Sequence, residues 1–527
     1  MIEVAGGAIV PYDQRNPKRV QFFDNTLREG DQAPGVSFSL DDKVEIARRL
    51  QEAGVDIIEV GMPDSGRGDF EAIQAVSGEV RLPSIAALTM AKVGSVEKAW
   101  GAVESAAFPR IHTFIATSDL HMKAMDMTPD QIERSTIEAV TRARQFTDWV
   151  EFSPEDASRS DFEFMMRIVK AAIGAGATVI NIPDTVGYTT PEKWSARLER
   201  VRAEIDRSVT LSTHCHNDLG LAVANTVAAV QVGARQVEVA TNGVGERCGN
   251  ASLEQTVAIL RLHQDQYGEG LADHINTRAI GPLCEVVRLA MNYPVIPNQP
   301  IVGPNAFRHE AGVHVDKVQT NRETYEIMVP EEWSWQGEQI AFGSHSGVNS
   351  FRNLAHDYGF EAPANFRDIV QEIKDFCRDA GHGVSEAEVV DMFSLSPEIR
   401  DRKGYVVSDY KSSQNEVSTT VGFEIYKPGS YSTLRASTEL SSTSGGTIAA
   451  IVEAFNKATG RSIDIVGFEE GIVEGESGAQ SRAKTTIIVK NGSGKPAKGK
   501  AISANTEQAH LQAFLNAVNN MDREARR

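Results

Sequence analysis

LSTHCHNDLG, residues 211–220, has the apolar lead-in of a buried strand end, and strand residues two apart project to the same face. His214 and His216 therefore point together into one site while Cys215 points away. Neutral imidazole nitrogens suit divalent transition metals. One added carboxylate would complete a two-histidine, one-carboxylate face with positions open to a substrate. The same pattern also fits a pair of packed histidines beside a helix N-cap at Asn217 or Asp218.

The chain on either side of this segment alternates. Apolar strand candidates end near Phe23, Val60, Leu88, Ile115, Phe152, Ile182, His214 and Ala240, and helical patterns such as Asp41–Ala53, Asp161–Gly174, Pro191–Ile205 and Leu219–Gly233 lie between them. Eight such units in roughly 250 residues predict a (β/α)8 TIM barrel, an α/β fold with its chemistry at the C-terminal ends of the strands. A doubly wound open sheet competes, but it would gather ligand groups at a switch point rather than after nearly every strand.

Polar residues follow the strands where a barrel needs them. Asp24, Arg28, Glu29 and Gln32 crowd the turn after the first strand, Ser153, Glu155 and Asp156 follow the fifth, and Asp184 and Thr185 follow the sixth. Asn242, Gly243, Glu246, Arg247, Gly249 and Asn250 fill a loop after the eighth that is too glycine-rich to be only a connector, and His112 faces inward from the fourth strand. Each has an ordinary reading alone: Asp24 as a turn residue, Ser153 or Thr185 as a helix cap, His112 as a satisfied core histidine. Together, carboxylates, an arginine and imidazoles at one end of five strands point to a site.

At 527 residues the chain exceeds one core, and the length suggests about three domains. A formal net charge of −19 argues against nucleic-acid or anionic-membrane partners. No apolar run reaches membrane-spanning length, and the start, MIEVAGGAIVPYDQ, lacks signal-peptide features. Cys215, Cys248, Cys284 and Cys377 are too scattered for a disulfide framework or a thiolate zinc site. A cytoplasmic protein is expected.

DNTLREGDQAPGVSFS, IHTFIATSDLHM, VEFSPEDASRSDF, NIPDTVGYTTPE, HCHNDLGLAVANT and NGVGERCGNASLE resemble, in order, the motifs of the 2-isopropylmalate synthases, in the metal-dependent barrel family that also holds homocitrate and citramalate synthases. The resemblance covers essentially the whole chain. It implies that Glu29 joins His214, His216 and Asn250 as ligands of a divalent ion (Mn2+, Mg2+ or Zn2+). Isopropylmalate synthases usually have Asp at the Glu29 position, and homocitrate synthases Glu. The implied reaction is a Claisen condensation of acetyl-CoA with a 2-oxo acid, followed by thioester hydrolysis, with the metal polarising the acceptor carbonyl.

On this resemblance Arg28 stabilises the developing alkoxide, His112 and Thr185 position substrate, Glu246 supports the base, and Glu155, two residues after Ser153, faces the acceptor side chain. Homocitrate synthases typically carry an arginine two residues before Ser153, where this chain has Glu151; a carboxylate there would repel a dicarboxylate acceptor and favour 2-oxoisovalerate. Pyruvate, giving citramalate, is the alternative, because a branched-chain pocket separates the two by only about 1 to 3 kcal/mol per methylene. A carbon–carbon lyase on the same barrel and a sensing protein with a retired site are the other readings. The segment containing His314 and the C-terminal domain belong with the synthases, and the intact ligand set speaks against retirement.

Beyond Gln264 the alternation stops. GPNAFRHEAGVHVDKVQTNRETYEIMVPE resembles the family's subdomain motif, which implies that His314, as general base, and Tyr325 reach the active site of a neighbouring subunit in a domain-swapped homodimer. A helix-surface histidine is the bland alternative for His314. At FGSHSGVNS, relatives usually have a basic residue in place of Ser344 and often Arg in place of Val348. Residues 408–416 are polar and are expected to be a linker. Strand patterns follow at Thr419–Tyr426, Ser432–Leu440, Ile463–Val473 and Lys484–Val489, with helices at Ile448–Thr459 and Thr506–Asn519. This small α+β domain resembles the leucine-sensing domain of isopropylmalate synthases, although SGGTIAA and KGKAISANT depart from the family's turns; a dimerisation module without effector is the alternative. NGSGKPAKGK is expected to be a solvated hairpin loop. The expected division is a barrel over 1–275, a subdomain region over 276–405 and a C-terminal domain over 406–527.

Overall fold

The computed structural model describes residues 19–335, 340–400, 405–414, 418–426, 433–441, 446–473, 481–492 and 494–525. They fall into two compact units, one built from residues 19–306 and 329–335, the other from 307–328 and 340–525.

The first unit is a closed barrel of eight parallel strands in sequence order. They are β1 (Gln21–Asp24), β2 (Ile57–Gly61), β3 (Ser84–Met90), β4 (Pro109–Ala116), β5 (Val150–Glu155), β6 (Val179–Asp184), β7 (Thr210–Cys215) and β8 (Gln236–Val239). Parallel pairing of β1 with β8, Phe22 opposite Val237, closes the ring and excludes the open sheet. Expected strand ends fall within three residues of the observed ones, and the four expected helices appear as Leu40–Ala53, Phe162–Ala175, Pro191–Glu204 and Ala222–Gln231.

Alternation along each strand separates two environments. On β7, Thr213 faces outward and accepts a 3.0 Å bond from the Trp194 indole of the surrounding helix layer, and the buried Cys215 shares that face. Ser212 and His214 face the lumen. The helix Thr277–Ala290, which a boundary at 275 puts outside the barrel, packs against Leu40–Ala53 within the first unit.

The second unit contains two apolar cores. One gathers Phe342, Phe351, Phe360, Phe366 and Phe393 among helices between residues 348 and 395. The other gathers Val421, Phe423, Ile451, Phe455, Ile487 and Phe514 from two three-stranded antiparallel sheets, each followed by a helix. The first sheet comprises β9 (Val406–Gln414), β10 (Ser418–Tyr426) and β11 (Thr433–Ser441), followed by the helix Thr447–Thr459; the second comprises β12 (Ile463–Ile472), β13 (Ala483–Asn491) and β14 (Ala497–Ser503), followed by Thr506–Glu524.

Two expectations are corrected here. The supposed linker at 408–416 is strand β9 as far as Gln414, paired antiparallel with β10, with residues 415–417 outside the described set. It is an edge strand whose polar face meets solvent, so it lacks the apolar count of an internal strand. Within the basic run at 491–500, Asn491 ends β13 and β14 begins at Ala497, with residue 493 outside the described set. Lys498 and Lys500 lie on β14 and pair with Asp357 at 2.7 Å and Glu386 at 2.9 Å. Residues 444 and 445 of SGGTIAA also lie outside the described residues.

β14 is an edge strand covered by a helix. Asn516 and Asn520 donate to the carbonyls of Lys500 and Lys498 at 2.7 and 2.8 Å, closing the edge that would otherwise be open to pairing. Gly499 lies between them, and a Cβ there would stand 2.1 Å from the Ala517 nitrogen. Gly499→Ala should therefore push the helix off the strand at a cost of about 1 to 3 kcal/mol, seen by calorimetry as an earlier unfolding transition. An unchanged transition would show that the helix is not seated there.

Candidate active site

The loop after β1 forms a single π-helical turn, Thr26–Gly30, in which Arg28 and Glu29 are both buried. Asp24 anchors it by accepting from the Thr26 amide at 2.9 Å, and burial pushes the Asp24 carboxyl up to about 7. Arg28 Nε donates to Glu59 Oε2 on β2 at 2.7 Å, and Arg28 Nη1 pairs with Glu29.

Glu29 Oε1 lies 3.9 Å from His214 Nε2 and 3.7 Å from His216 Nε2, with the two imidazoles nearly perpendicular at 4.8 Å. Asn250 is bridged to His216 by the backbone, and its amide donates to the Val244 carbonyl at 3.0 Å. That bond leaves Asn250 Oδ1 buried without a partner, as is Glu29 Oε2. Gly245, at φ +145°, allows the approach, since a Cβ there would stand 2.2 Å from the Asn250 amide nitrogen.

The electrostatics fit a cation. Burial opposes ionisation of Glu29, but Arg28, then His216 and His214, hold it down at about 2. Burial, then His214, pushes His216 down to about 3, so its ring is neutral and keeps a lone pair. His214 Nδ1 lies 2.8 Å from Glu238 Oε2 on β8, which orients the ring and leaves Nε2 toward Glu29.

These groups line a cavity of about 200 Å3 at the C-terminal ends of the strands, together with His112, Ser153, Glu155, Thr185 and Glu246. Leu88 and Phe114 form part of an apolar wall. His112 donates on one side to Glu59 at 2.7 Å and contacts Ser153 Oγ at 2.7 Å on the other. Burial opposes its charge, but Glu151 and then Glu59 raise it to about 9. A second buried trio, His112, Glu151 and Glu238, also has donor atoms within 4.8 Å. Both nitrogens of a protonated His112 are committed, so no lone pair remains there for a metal.

Glu151 requires a correction. It is fully buried but does not line the cavity; it accepts from Arg110 at 3.0 Å and from Gln236 at 2.7 Å in the lumen beneath. Inward residues of β5 descend from Glu155 through Ser153 to Glu151, and only the first two reach the cavity. The β5 carboxylate that does line the cavity is Glu155, whose carboxyl burial pushes up. His314 and Tyr325 belong to the second unit, where their rings approach to 4.3 Å.

A family model described as HMGL-like matches residues 19–287, one described as homocitrate synthase post-HMGL domain-like matches 301–380, and one described as LeuA allosteric (dimerisation) domain matches 391–521. The 2-isopropylmalate synthase of Pyrococcus furiosus is 38% identical over 96% of this chain and 100% of its own. Those of Pelotomaculum thermopropionicum and Carboxydothermus hydrogenoformans are 40% and 39% identical, each over 96% of this chain and 98% of theirs. The chain belongs to the 2-isopropylmalate synthase family.

HMGL-like proteins depend on a divalent metal. In this member of the family, Glu29, His214 and His216 could hold one, and the unbonded Asn250 oxygen fits as a further donor. Sequence reading missed Glu59, Glu238, Asn181 and Arg110. Each is a polar residue at an inward position of a largely apolar strand, and that misplaced polarity was the available signal. Glu238→Gln should weaken divalent-metal affinity about 10- to 100-fold while leaving the circular dichroism unchanged. Calorimetric titration checks this, and unaltered affinity would remove Glu238 from the support of His214.

Proposed function

We propose that this chain condenses acetyl-CoA with 2-oxoisovalerate to give 2-isopropylmalate and CoA, the committing reaction of leucine biosynthesis, in the cytoplasm. The observation that carries this is the set of buried, unbonded donors on Glu29 and Asn250 facing His214 and His216 beside Arg28, in a chain colinear with 2-isopropylmalate synthases over nearly its whole length.

Glu29, His214, His216 and Asn250 would hold a divalent ion, with Mn2+, Mg2+ and Zn2+ all suited to this donor set. When bound, such an ion supplies Lewis-acid polarisation of the acceptor's 2-oxo group. Arg28, fixed by Glu59, places positive charge where the alkoxide develops. Ser153 Oγ is met by His112 Nε2 at 2.7 Å and Asn181 Nδ2 at 2.9 Å. With His112 protonated, both are donors, so the Ser153 proton is free to donate into the cavity. Thr185 Oγ1 accepts from the Asp156 amide at 2.9 Å, which likewise leaves its proton for substrate. These two hydroxyls suit the acceptor's carboxylate. Its isopropyl group fits the wall of Leu88 and Phe114, while Glu155 disfavours a second carboxylate.

A base takes a proton from the acetyl methyl group, the resulting carbanion forms the new bond to the acceptor's second carbon, and water then cleaves the thioester to release CoA. We assign the base to His314, with Tyr325 beside it, both contributed by the partner subunit of a domain-swapped homodimer, and with Glu246 of the barrel cavity in support. The LeuA-type dimerisation domain supports a dimer.

CoA-thiol release with 2-oxoisovalerate, pyruvate and 2-oxoglutarate, offered singly with Mg2+ or Mn2+, is the direct test. 2-Oxoisovalerate should have by far the highest kcat/KM, and a better acceptor among the others would sink the leucine-pathway assignment. His214→Ala should abolish metal-dependent turnover without unfolding the chain. His214→Ala and His314→Ala, each inactive alone, should regain activity when co-expressed, because one mixed dimer site keeps both groups. Absence of recovery would place the base within one chain.

A further inference from the structure

At the N-terminal ends of the strands, away from the catalytic cavity, a space of about 570 Å3 is lined by Arg19, Arg110, Arg202, Arg207 and Arg235, with Trp149 on one wall. Five arginines thus line one space in a chain of formal net charge −19. Nearby carboxylates are already committed. Asp56 pairs with Arg19, Glu151 with Arg110 at 3.0 Å, and Asp148, which also lines the space, with Arg144 at 2.9 Å. Asp206 accepts from the Ser208 amide and hydroxyl at 2.8 and 2.6 Å and keeps its charge, which is felt by Arg202 without forming an ion pair. Arg202, Arg207 and Arg235 have no ion-pair partner among the described residues.

Two of these three also hold turns together. Arg202 donates to the carbonyls of Ile205 and Val209 at 2.9 and 3.0 Å, and Arg235 to those of Val230 and Ala234 at 3.2 and 2.8 Å. Carbonyls satisfy donors without neutralising charge, so the positive potential persists. Burial, then the nearness of Arg207, lowers the proton affinity of Arg202, and burial lowers that of Arg235. Turn-holding alone does not explain cations gathered against that cost. Deeper in the same lining, Arg110 is 2% exposed and its Nε finds no partner, while its guanidinium carbon lies 5.7 Å from the centre of the Trp149 ring.

We propose that the N-terminal mouth of the barrel is a binding site for the phosphate group of a small molecule. A guanidinium fork matches a phosphate edge, and a dianion with several acceptor oxygens answers three arginines that lack ion pairs better than a single carboxylate does. The space exceeds what orthophosphate fills, and the indole offers a face for an attached ring. The phosphate is the recognised element.

Calorimetric titration of the full-length protein with inorganic phosphate and, separately, with phenyl phosphate tests the site at fixed ionic strength. Both probes should bind; tighter phenyl phosphate assigns the ring to Trp149, and equal affinities assign recognition to the phosphate alone. Arg207 is exposed and makes none of the turn bonds, so Arg207→Glu should weaken binding about tenfold without moving the unfolding temperature. His214→Ala should leave binding unchanged, which separates this site from the metal-binding end. Absence of binding by both probes, undiminished affinity in Arg207→Glu, or loss in His214→Ala would each overturn the assignment.

Discussion

Everything at the upper end of the barrel depends on Arg28 being held between Glu59 and Glu29. All three side chains are at least nine-tenths buried, and a buried charge is tolerated only when it is paired. Arg28 pairs at once with Glu29 of its own turn and Glu59 of β2, which fixes the π-turn after β1 to β2. That turn in turn sets where Glu29 meets the histidines. Glu59 passes the constraint on through His112 to Ser153 and Asn181, reaching β6 without leaving hydrogen-bond range.

A barrel lumen is ordinarily filled by branched apolar side chains. Here Phe23, Ile57 and Ala86 form only a small apolar patch, with Phe23 edge-on to His112 at 5.8 Å. Arg110, Glu151, Gln236 and Ser212 make a bonded layer at the bottom of the lumen. Such networks contribute little net stability over an apolar filling, because desolvation offsets most of the attraction. What they supply here is position. His214, His112 and Ser153 each have a bonded neighbour, so their rotamers are set before a ligand enters.

Strand alternation and the two-residue spacing of His214 and His216 made the barrel and the heart of the site legible, because both follow from local periodicity. Depth along the lumen did not follow. Glu151, Ser153 and Glu155 share a face, and sequence gives no height, so Glu151 looked like a wall of the acceptor pocket when it is the floor's partner for Arg110. Glu59 and Glu238 went unread because a lone carboxylate in IIEVG or QVEV belongs to no motif. At β9 the failure was of another kind: SDYKSSQ carries only the tyrosine's apolar surface, and its strand conformation comes from pairing with β10 rather than from its own propensity.

The glutamate at position 29 is where family pattern and chemistry part company. Its extra methylene relative to aspartate lets one oxygen reach Arg28 while the other stays unbonded 3.4 Å from where a Cβ on Gly245 would be. The glycine is thus matched to a longer side chain. Nothing in that adjustment touches the Leu88 and Phe114 wall or Glu155, which come from β3, β4 and β5. On the proposed reading, ligand length is settled by the loops after β1 and β8, and acceptor shape by the strands across the cavity. The two can vary independently, so a homocitrate-type ligand at position 29 does not carry a homocitrate-type acceptor with it.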